Sequence, residues 1–319
     1  MKYRNLGKTD LNVSILGFGA SPLGEEFGKI DPLEGQRAVD AAIDHGINYF
    51  DVSPYYGRTL AEERLGKYLQ GKRDKVILAT KVGRYDSEPP EGFDFSAARI
   101  AQSVEESLNR LQTDVIDVFQ AHDIEFVDKR QIIDEAIPAM QELKDQGKVR
   151  YIGITGYPLK VLKEVAAETE IDTILSYCHY NLMNTTLESH LEEFATHQGI
   201  GLINASPLHM RILTEKGAPD WHPAPESVQK AGERVAAFCK SRGINVSHLA
   251  MQFALDYNGA ATALVGMSKQ SHVARNVQAV DDEIDQDLLE EVRQLIEPVM
   301  DLNWLVGKPE NNEPDALRV

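Results

Sequence analysis

Four side chains of complementary chemistry stand at or just beyond the ends of short apolar runs. Asp51 and Tyr56 lie in YFDVSPYYG, Lys81 ends VILATK, and His122 ends VIDVFQAH. Each has an ordinary explanation when taken alone: Asp51 as a turn cap, Tyr56 as packing, Lys81 as an amine reaching solvent, His122 as a satisfied core histidine. Together they describe proton transfer at a carbinol or carbonyl oxygen. A free phenol ionises near ~10, too high for an efficient base at neutral pH, and a neighbouring ammonium lowers that value by stabilising the phenolate. Lys81 supplies the ammonium, Asp51 keeps it charged and in place, and His122 orients the reacting oxygen. Such a set still needs a hydride acceptor.

The elements that must position these groups follow from the apolar pattern. YRNLG and LNVSI, joined across GKTD, read as an opening hairpin. Eight short buried runs then alternate with longer amphipathic segments: LGFGA (16–20), INYFDVS (47–53), VILATK (76–81), VIDVFQAH (115–122), VRYIGIT (149–155), TILSYC (173–178), GLINAS (201–206) and ALVGM (263–267). The helical patterns between them include EGQRAVDAAIDHG, SAARIAQSVEESLNRL and LKVLKEVAAE, and two extra ones, SVQKAGERVAAFCKSRG and SHLAMQFALDYNG, precede the last strand. Gly46, Gly147 and Gly199 fall where a left-handed cap is wanted, and Ser96 and Thr185 where a helix begins. Strand–helix alternation predicts a parallel sheet. Eight units at this length fit an α/β fold of the closed (β/α)8 TIM-barrel type, with an N-terminal hairpin and extra C-terminal helices and loop, as one domain over residues 1–319. GFGASPLG is not the G-x-G-x-x-G of an open dinucleotide-binding sheet. In a barrel the active face is the C-terminal end of the strands, where the four residues stand.

Composition narrows the class. Fifty acidic against thirty-three basic residues give a net charge of -17, which disfavours nucleic acid and anionic lipid as partners. The first twenty residues carry scattered charge without a sustained apolar run, which predicts a soluble, cytoplasmic protein, a monomer or weak homo-oligomer. Cys178 and Cys239 lie far apart in different elements and predict free thiols in a reducing compartment. Nine histidines without H-E-x-x-H spacing give a zinc site no support, so no metal is expected.

FDVSPYYG, ATKVGR, QAHD and YIGITG, in this order, resemble the aldo-keto reductases, and the resemblance runs over nearly the whole chain. It implies an eight-stranded barrel that uses a nicotinamide cofactor without a Rossmann domain. It also implies Tyr56 as the proton donor or acceptor, with Asp51, Lys81 and His122 as its partners. GFGASPLG, GFDFSAARI, AHDIEF, LSYCHYN, INASPLHM, DWHPA and LVGMS are similar to segments of members that oxidise the anomeric carbon of a free sugar to its lactone.

The same resemblance implies where the cofactor lies. Thr155, Tyr177 and Ser206-Pro207-Leu208 would follow the nicotinamide and pyrophosphate beside Asp51, with Ala20 and Ser21 closing the other side. Gly266, Ser268, Lys269, His272, Arg275 and Asn276 would surround the adenosine. Many members have Ser-Asn where this chain has Thr155-Gly156, glutamine at Tyr177 and an aromatic residue at Ala205. The stretch GMSKQSHVARNVQAV carries Lys269 and Arg275 and no acid, and Lys216 adds a further cation, which places NADP+ slightly ahead of NAD+, both usable.

A sugar pocket needs polar groups and often an aromatic face. Beside the reacting Tyr56 and His122, the candidates are Tyr55, Asp123, His179 and Trp304. The competing readings are a general aldehyde or ketone reductase and a nicotinamide-nucleotide-binding regulatory subunit; the intact acid–base set speaks against the latter.

Overall fold

The computed structural model describes residues 1–86 and 92–317. An antiparallel hairpin, β1 (Tyr3–Asn5) with β2 (Asn12–Ser14), precedes the barrel. Among the described residues, eight parallel strands then close on themselves: β3 (Leu16–Gly19), β4 (Tyr49–Asp51), β5 (Ile77–Val82), β6 (Ile116–Ala121), β7 (Val149–Gly156), β8 (Thr173–Tyr177), β9 (Gly201–Ala205) and β10 (Thr262–Gly266), with β10 paired to both β9 and β3. Each predicted run coincides with a strand to within a residue or two.

The helices around the barrel are α1 (Pro32–Asp44), α2 (Leu60–Tyr68), α3 (Ala97–Leu111), α4 (Lys129–Gln131), α5 (Ile137–Asp145), α6 (Leu159–Glu168), α7 (Glu193–Gln198), α8 (Glu226–Ser241), α9 (Val246–Asp256), α10 (Gln270–Asp281) and α11 (Gln286–Ile296). Wide π turns, Ile132–Ala136 and Glu188–Glu192, lead into α5 and α7. Their starts follow side-chain chemistry. The Ser96 hydroxyl accepts from the Arg99 amide at 3.3 Å, and Asp31 accepts from the Leu33 amide at 3.0 Å. Gly46, Gly147 and Gly199 all take positive φ, as a left-handed cap requires. Thr185 stands directly before the helical turn that begins at Thr186, as expected, but its hydroxyl donates to Asp301 at 3.3 Å instead of capping that turn. α11 stands outside the strand–helix alternation. It buries Leu288, Leu289, Val292 and Ile296 in the core that also takes Val228 and Val235 of α8.

Register places the site. Asp51 lies opposite Ala79 and Lys81 opposite Gln120, and Asp51, Lys81 and Gln120 each stand two residues beyond Tyr49, Ala79 and Val118 on their own strands, toward the C-terminal mouth. Tyr49, Ala79 and Val118 share an apolar plug with Leu175, Ile203 and Leu264. Cys178 and Cys239 are both free and buried. No helix among the described residues is long and apolar enough to cross a membrane.

Candidate active site

Asp51 ends β4 as a carboxylate sealed from water, and its partners come from the next two strands. Lys81 of β5 pairs with Asp51 Oδ1, and Gln120 of β6 donates to Oδ2 at 3.0 Å. The Lys81 ammonium also donates to the Val52 carbonyl at 2.9 Å. Burial alone would lower the lysine pKa, but Asp51 and Tyr56 outweigh it and hold the amine above its usual range. Burial raises the Asp51 pKa, an effect opposed by Lys81 and Gln120.

Tyr56 is presented by a tight turn. Its amide donates to the Ser53 carbonyl at 3.1 Å, and Gly57 follows with φ 62°. A Cβ on Gly24 would stand 2.7 Å from the Tyr56 carbonyl, and one on Gly57 would run into the Gly24 carbonyl, so the turn is seated backbone to backbone on the loop after β3. Lys81 Nζ lies 4.9 Å from the centre of the Tyr56 ring. The balance on the phenol differs from expectation. Burial pushes it up to about 12, and Lys81 offsets only part of that rise.

His122 follows β6, with its ring centre 5.8 Å from that of Tyr56 and nearly perpendicular to it. Ser53 Oγ is 3.0 Å from Nδ1 and also accepts from the Tyr55 amide. With Ser53 donating to Nδ1, the neutral ring carries its proton on Nε2. Burial lowers the imidazole pKa to about 3, so the ring is neutral. A phenol, a buried ammonium and a neutral N–H donor thus share one small volume.

Next to this group opens a cleft of about 810 Å³ that Asp51 and Tyr56 help line. Its walls carry Ser21 after β3, Ser206-Pro207-Leu208 after β9, and Gly266, Ser268, Lys269, His272 and Arg275 from β10 into α10. Lys29, Arg211 and Lys216 join them, giving five lysines and arginines against two acids, Asp51 and Glu215, in a chain whose net charge is -17. Volume and sign both suit an elongated polyanion such as a dinucleotide. The acid-free reading of residues 266–280 misses one neighbour from afar. Glu34 of α1 accepts from the Gln270 amide at 3.2 Å, at the start of α10.

Four expected cofactor residues do not line this cleft. Ala20 is buried, with its amide bonded to the Asp51 carbonyl at 2.8 Å. The Thr155 hydroxyl is committed to Asp123, accepting from its amide at 3.0 Å. Tyr177 donates to Glu125 at 3.2 Å and packs on Tyr157, and Asn276 is buried on α10.

The expected sugar residues divide. Tyr55 and Asp123 stand beside His122. The Tyr55 ring is 5.9 Å from that of His122, and Asp123 Oδ2 is 3.6 Å from His122 Nε2. His179 and Trp304 are elsewhere, both packed on Tyr157 in one buried aromatic cluster. His179 lies against Tyr157 at 4.6 Å with Nδ1 bonded to Thr186, and Trp304 stacks on Tyr157 at 4.9 Å, only 1% exposed. Neither is an open sugar face. Sequence reading misses Ser53, Gln120 and Arg84. Arg84 is three residues past Lys81, and its place beside Tyr55 and Asp123 depends on pairing across strands.

Residues 15–297 match the model of the aldo/keto reductase family. L-galactose dehydrogenase of Arabidopsis thaliana is 46% identical over 321 residues, covering 98% of this chain and 99% of that protein. D-threo-aldose 1-dehydrogenase of a Pseudomonas species is 27% identical over 310 residues, covering 89% of this chain and 94% of its own. Among solved structures, an aldo-keto reductase from Bacillus halodurans in its holo form superposes with a TM-score of 0.77 at 31% identity, covering 98% of this chain and all (100%) of that one.

Proposed function

The chain belongs to the aldo/keto reductase family, and from that premise we propose that it oxidises the anomeric carbon of a free aldose, L-galactose to L-galactono-1,4-lactone, with a nicotinamide dinucleotide as co-substrate. The observation that carries this reading is the meeting of Asp51, Tyr56, Lys81 and His122 beside a cationic cleft, in a chain so similar to a sugar dehydrogenase.

The chemistry the dinucleotide supplies when bound is acceptance of a hydride. Ser206-Pro207-Leu208 and the Gly266–Arg275 segment would hold it, with Ser21 across from them. The protein's own work is on the proton. Tyr56 takes it from the anomeric hydroxyl, Lys81 stabilises the phenolate, and Asp51 holds the ammonium against that oxygen. His122 Nε2–H donates to the sugar oxygen and fixes it over Tyr56. Run backwards, the same groups reduce an aldehyde.

The phenol's position at about 12 gives a pH signature. Below that value the phenolate fraction rises about tenfold per pH unit, so oxidation accelerates through the alkaline range. Aldehyde reduction needs the protonated phenol and stays level from neutral pH upward until Tyr56 ionises. His122, already neutral above about 3, adds no break near pH 6.5.

Lys269 and Arg275 in the cleft wall support NADP+ slightly ahead of NAD+, whereas Glu34 at the start of α10 speaks against the extra phosphate. Catalytic efficiencies with each cofactor test this, and a large preference for NAD+ would remove the charge argument. Glu34→Gln is expected to raise the NADP+/NAD+ efficiency ratio about two- to fivefold.

A panel of free aldoses, followed by absorbance of reduced nicotinamide, separates the readings. Oxidation of L-galactose supports the dehydrogenase, turnover of aldehydes alone supports a general reductase, and tight cofactor binding without turnover supports a regulatory subunit. Tyr56→Phe is expected to lower turnover about 10²- to 10⁴-fold with cofactor affinity retained. Near-normal turnover in that variant would exclude Tyr56 as the proton carrier.

A further inference from the structure

A carboxylate and a guanidinium stand together beside His122, outside the acid–base four. Asp123 follows His122 directly and adopts left-handed backbone geometry, φ 55°. Thr155 holds it there, accepting from the Asp123 amide at 3.0 Å and donating to Oδ1 at 3.4 Å. The other carboxylate oxygen, Oδ2, pairs with Arg84 and lies 3.6 Å from His122 Nε2. Arg84 comes off the end of β5, and its guanidinium carbon sits 3.9 Å from the centre of the Tyr55 ring. Its Nε is buried without a hydrogen-bond partner among the described residues. Burial would raise the Asp123 pKa, but His122 and Arg84 hold the carboxylate below its usual range. Asp123 is therefore an acceptor and Arg84 a donor.

Neighbouring oxygens of a vicinal diol are about one hydrogen-bond length apart, roughly 2.8 Å. The separation of 3.6 Å between His122 Nε2 and Asp123 Oδ2 matches two protein groups that each hold one oxygen of such a diol. If the anomeric oxygen is on His122 and Tyr56, the adjoining oxygen is the hydroxyl of carbon 2.

We propose that Arg84 and Asp123 form the subsite that reads the carbon-2 hydroxyl of the sugar, Asp123 accepting its hydrogen and Arg84 donating to its oxygen. Tyr55 is the plate that holds the guanidinium in plane with that hydroxyl. The inference rests on the reading of the chain as an aldose dehydrogenase. It adds what that reading lacks, a pair of side chains that separates 2-hydroxy aldoses from 2-deoxy aldoses and simple aldehydes.

The test compares kcat/KM for L-galactose and 2-deoxy-L-galactose in the native protein, Asp123→Asn and Arg84→Met. Loss of a charged hydrogen bond corresponds to about a 10- to 100-fold difference, so the native protein is expected to prefer L-galactose by that factor. Both variants are expected to narrow the gap to below about fivefold, on the same scale. Should either variant fail to fold, Arg84→Lys keeps the charge, loses the planar fork, and is expected to narrow the gap partway. A pair that only braces the fold would slow both sugars alike, so an unchanged ratio in folded variants overturns the proposal. Equal use of the two sugars by the native protein overturns it too, with sugar oxidation left standing. If no free aldose is oxidised while aldehydes are reduced, the dehydrogenase reading fails and the subsite fails with it.

Discussion

His122 and His209 are both histidines in the mouth loops of one barrel, both sealed from water, and burial drives both to a pKa of about 3. Their surroundings have little in common. His122 has Nδ1 fixed by Ser53 and stands beside the Lys81–Asp51 pair, with Nε2 facing Asp123. His209 has neither ring nitrogen bonded among the described residues and is wedged between His222 and Trp304. A displaced pKa therefore records depth and says nothing of catalysis. What separates the two is whether each ring atom has an assigned partner and which strand ends its neighbours come from.

The largest effect that would sharpen this contrast is expected from Lys81→Met, a loss of turnover of about 10²- to 10⁴-fold. It also strands Asp51 as a buried charge, costing about 3–5 kcal/mol of stability by urea denaturation. Adding Asp51→Asn to that variant is expected to restore part of the stability and none of the turnover. Restored turnover would break the assignment of the pair to the acid–base site.

A smaller effect concerns what the two regions share. His122, His179 and His209 stay neutral when folded, each near 3, while in the unfolded chain a histidine takes up its proton near ~6.5. As pH falls from about 6.5 toward 3, the unfolded state alone binds protons and stability declines, by up to about 1.4 kcal/mol per pH unit for each ring. Glu125 has the opposite sign. Burial raises it to about 8, so its folded form keeps a proton that the unfolded chain gives up above about 4.5, and stability falls as pH rises between those values. Urea midpoints against pH are expected to show a steep acid limb, and Glu125→Gln to flatten the shallower alkaline one.

The smallest effect is expected at His209→Leu, which removes two ring nitrogens without a partner among the described residues at near-constant volume. Stability should change by less than about 1 kcal/mol and turnover by less than about twofold on the scale set for surplus groups. A loss like that of Lys81→Met would mean the aromatic cluster serves the chemistry after all.

Much of this was legible from residues alone because barrel strands are buried on both faces and announce themselves as apolar runs. A charged or polar residue ending such a run, as at Asp51, Lys81 and His122, stands out for the same reason. Ser53, Gln120 and Arg84 were not legible, since each matters through a partner brought near by register or loop path. Glu34 reaches α10 across 236 positions of sequence, beyond any local pattern. His179 and Trp304 were misplaced because their loops turn them into Tyr157. The bounds of α11, one of the extra C-terminal helices expected, were not legible because its apolar face belongs to α8 and to no strand.

The backbone contact between Gly24 and Gly57 makes the loop after β3, which lines the cationic cleft at Ser21 and Pro22, and the turn that carries Tyr56 a single mechanical part. A methyl group added at Gly24, which itself lines no part of the cleft, would shift the phenol sideways relative to Lys81. Proton transfer tolerates little misalignment, with about 10²-fold at stake for an ångström. The alignment of the reaction is thus written partly at a residue that has no side chain to offer it.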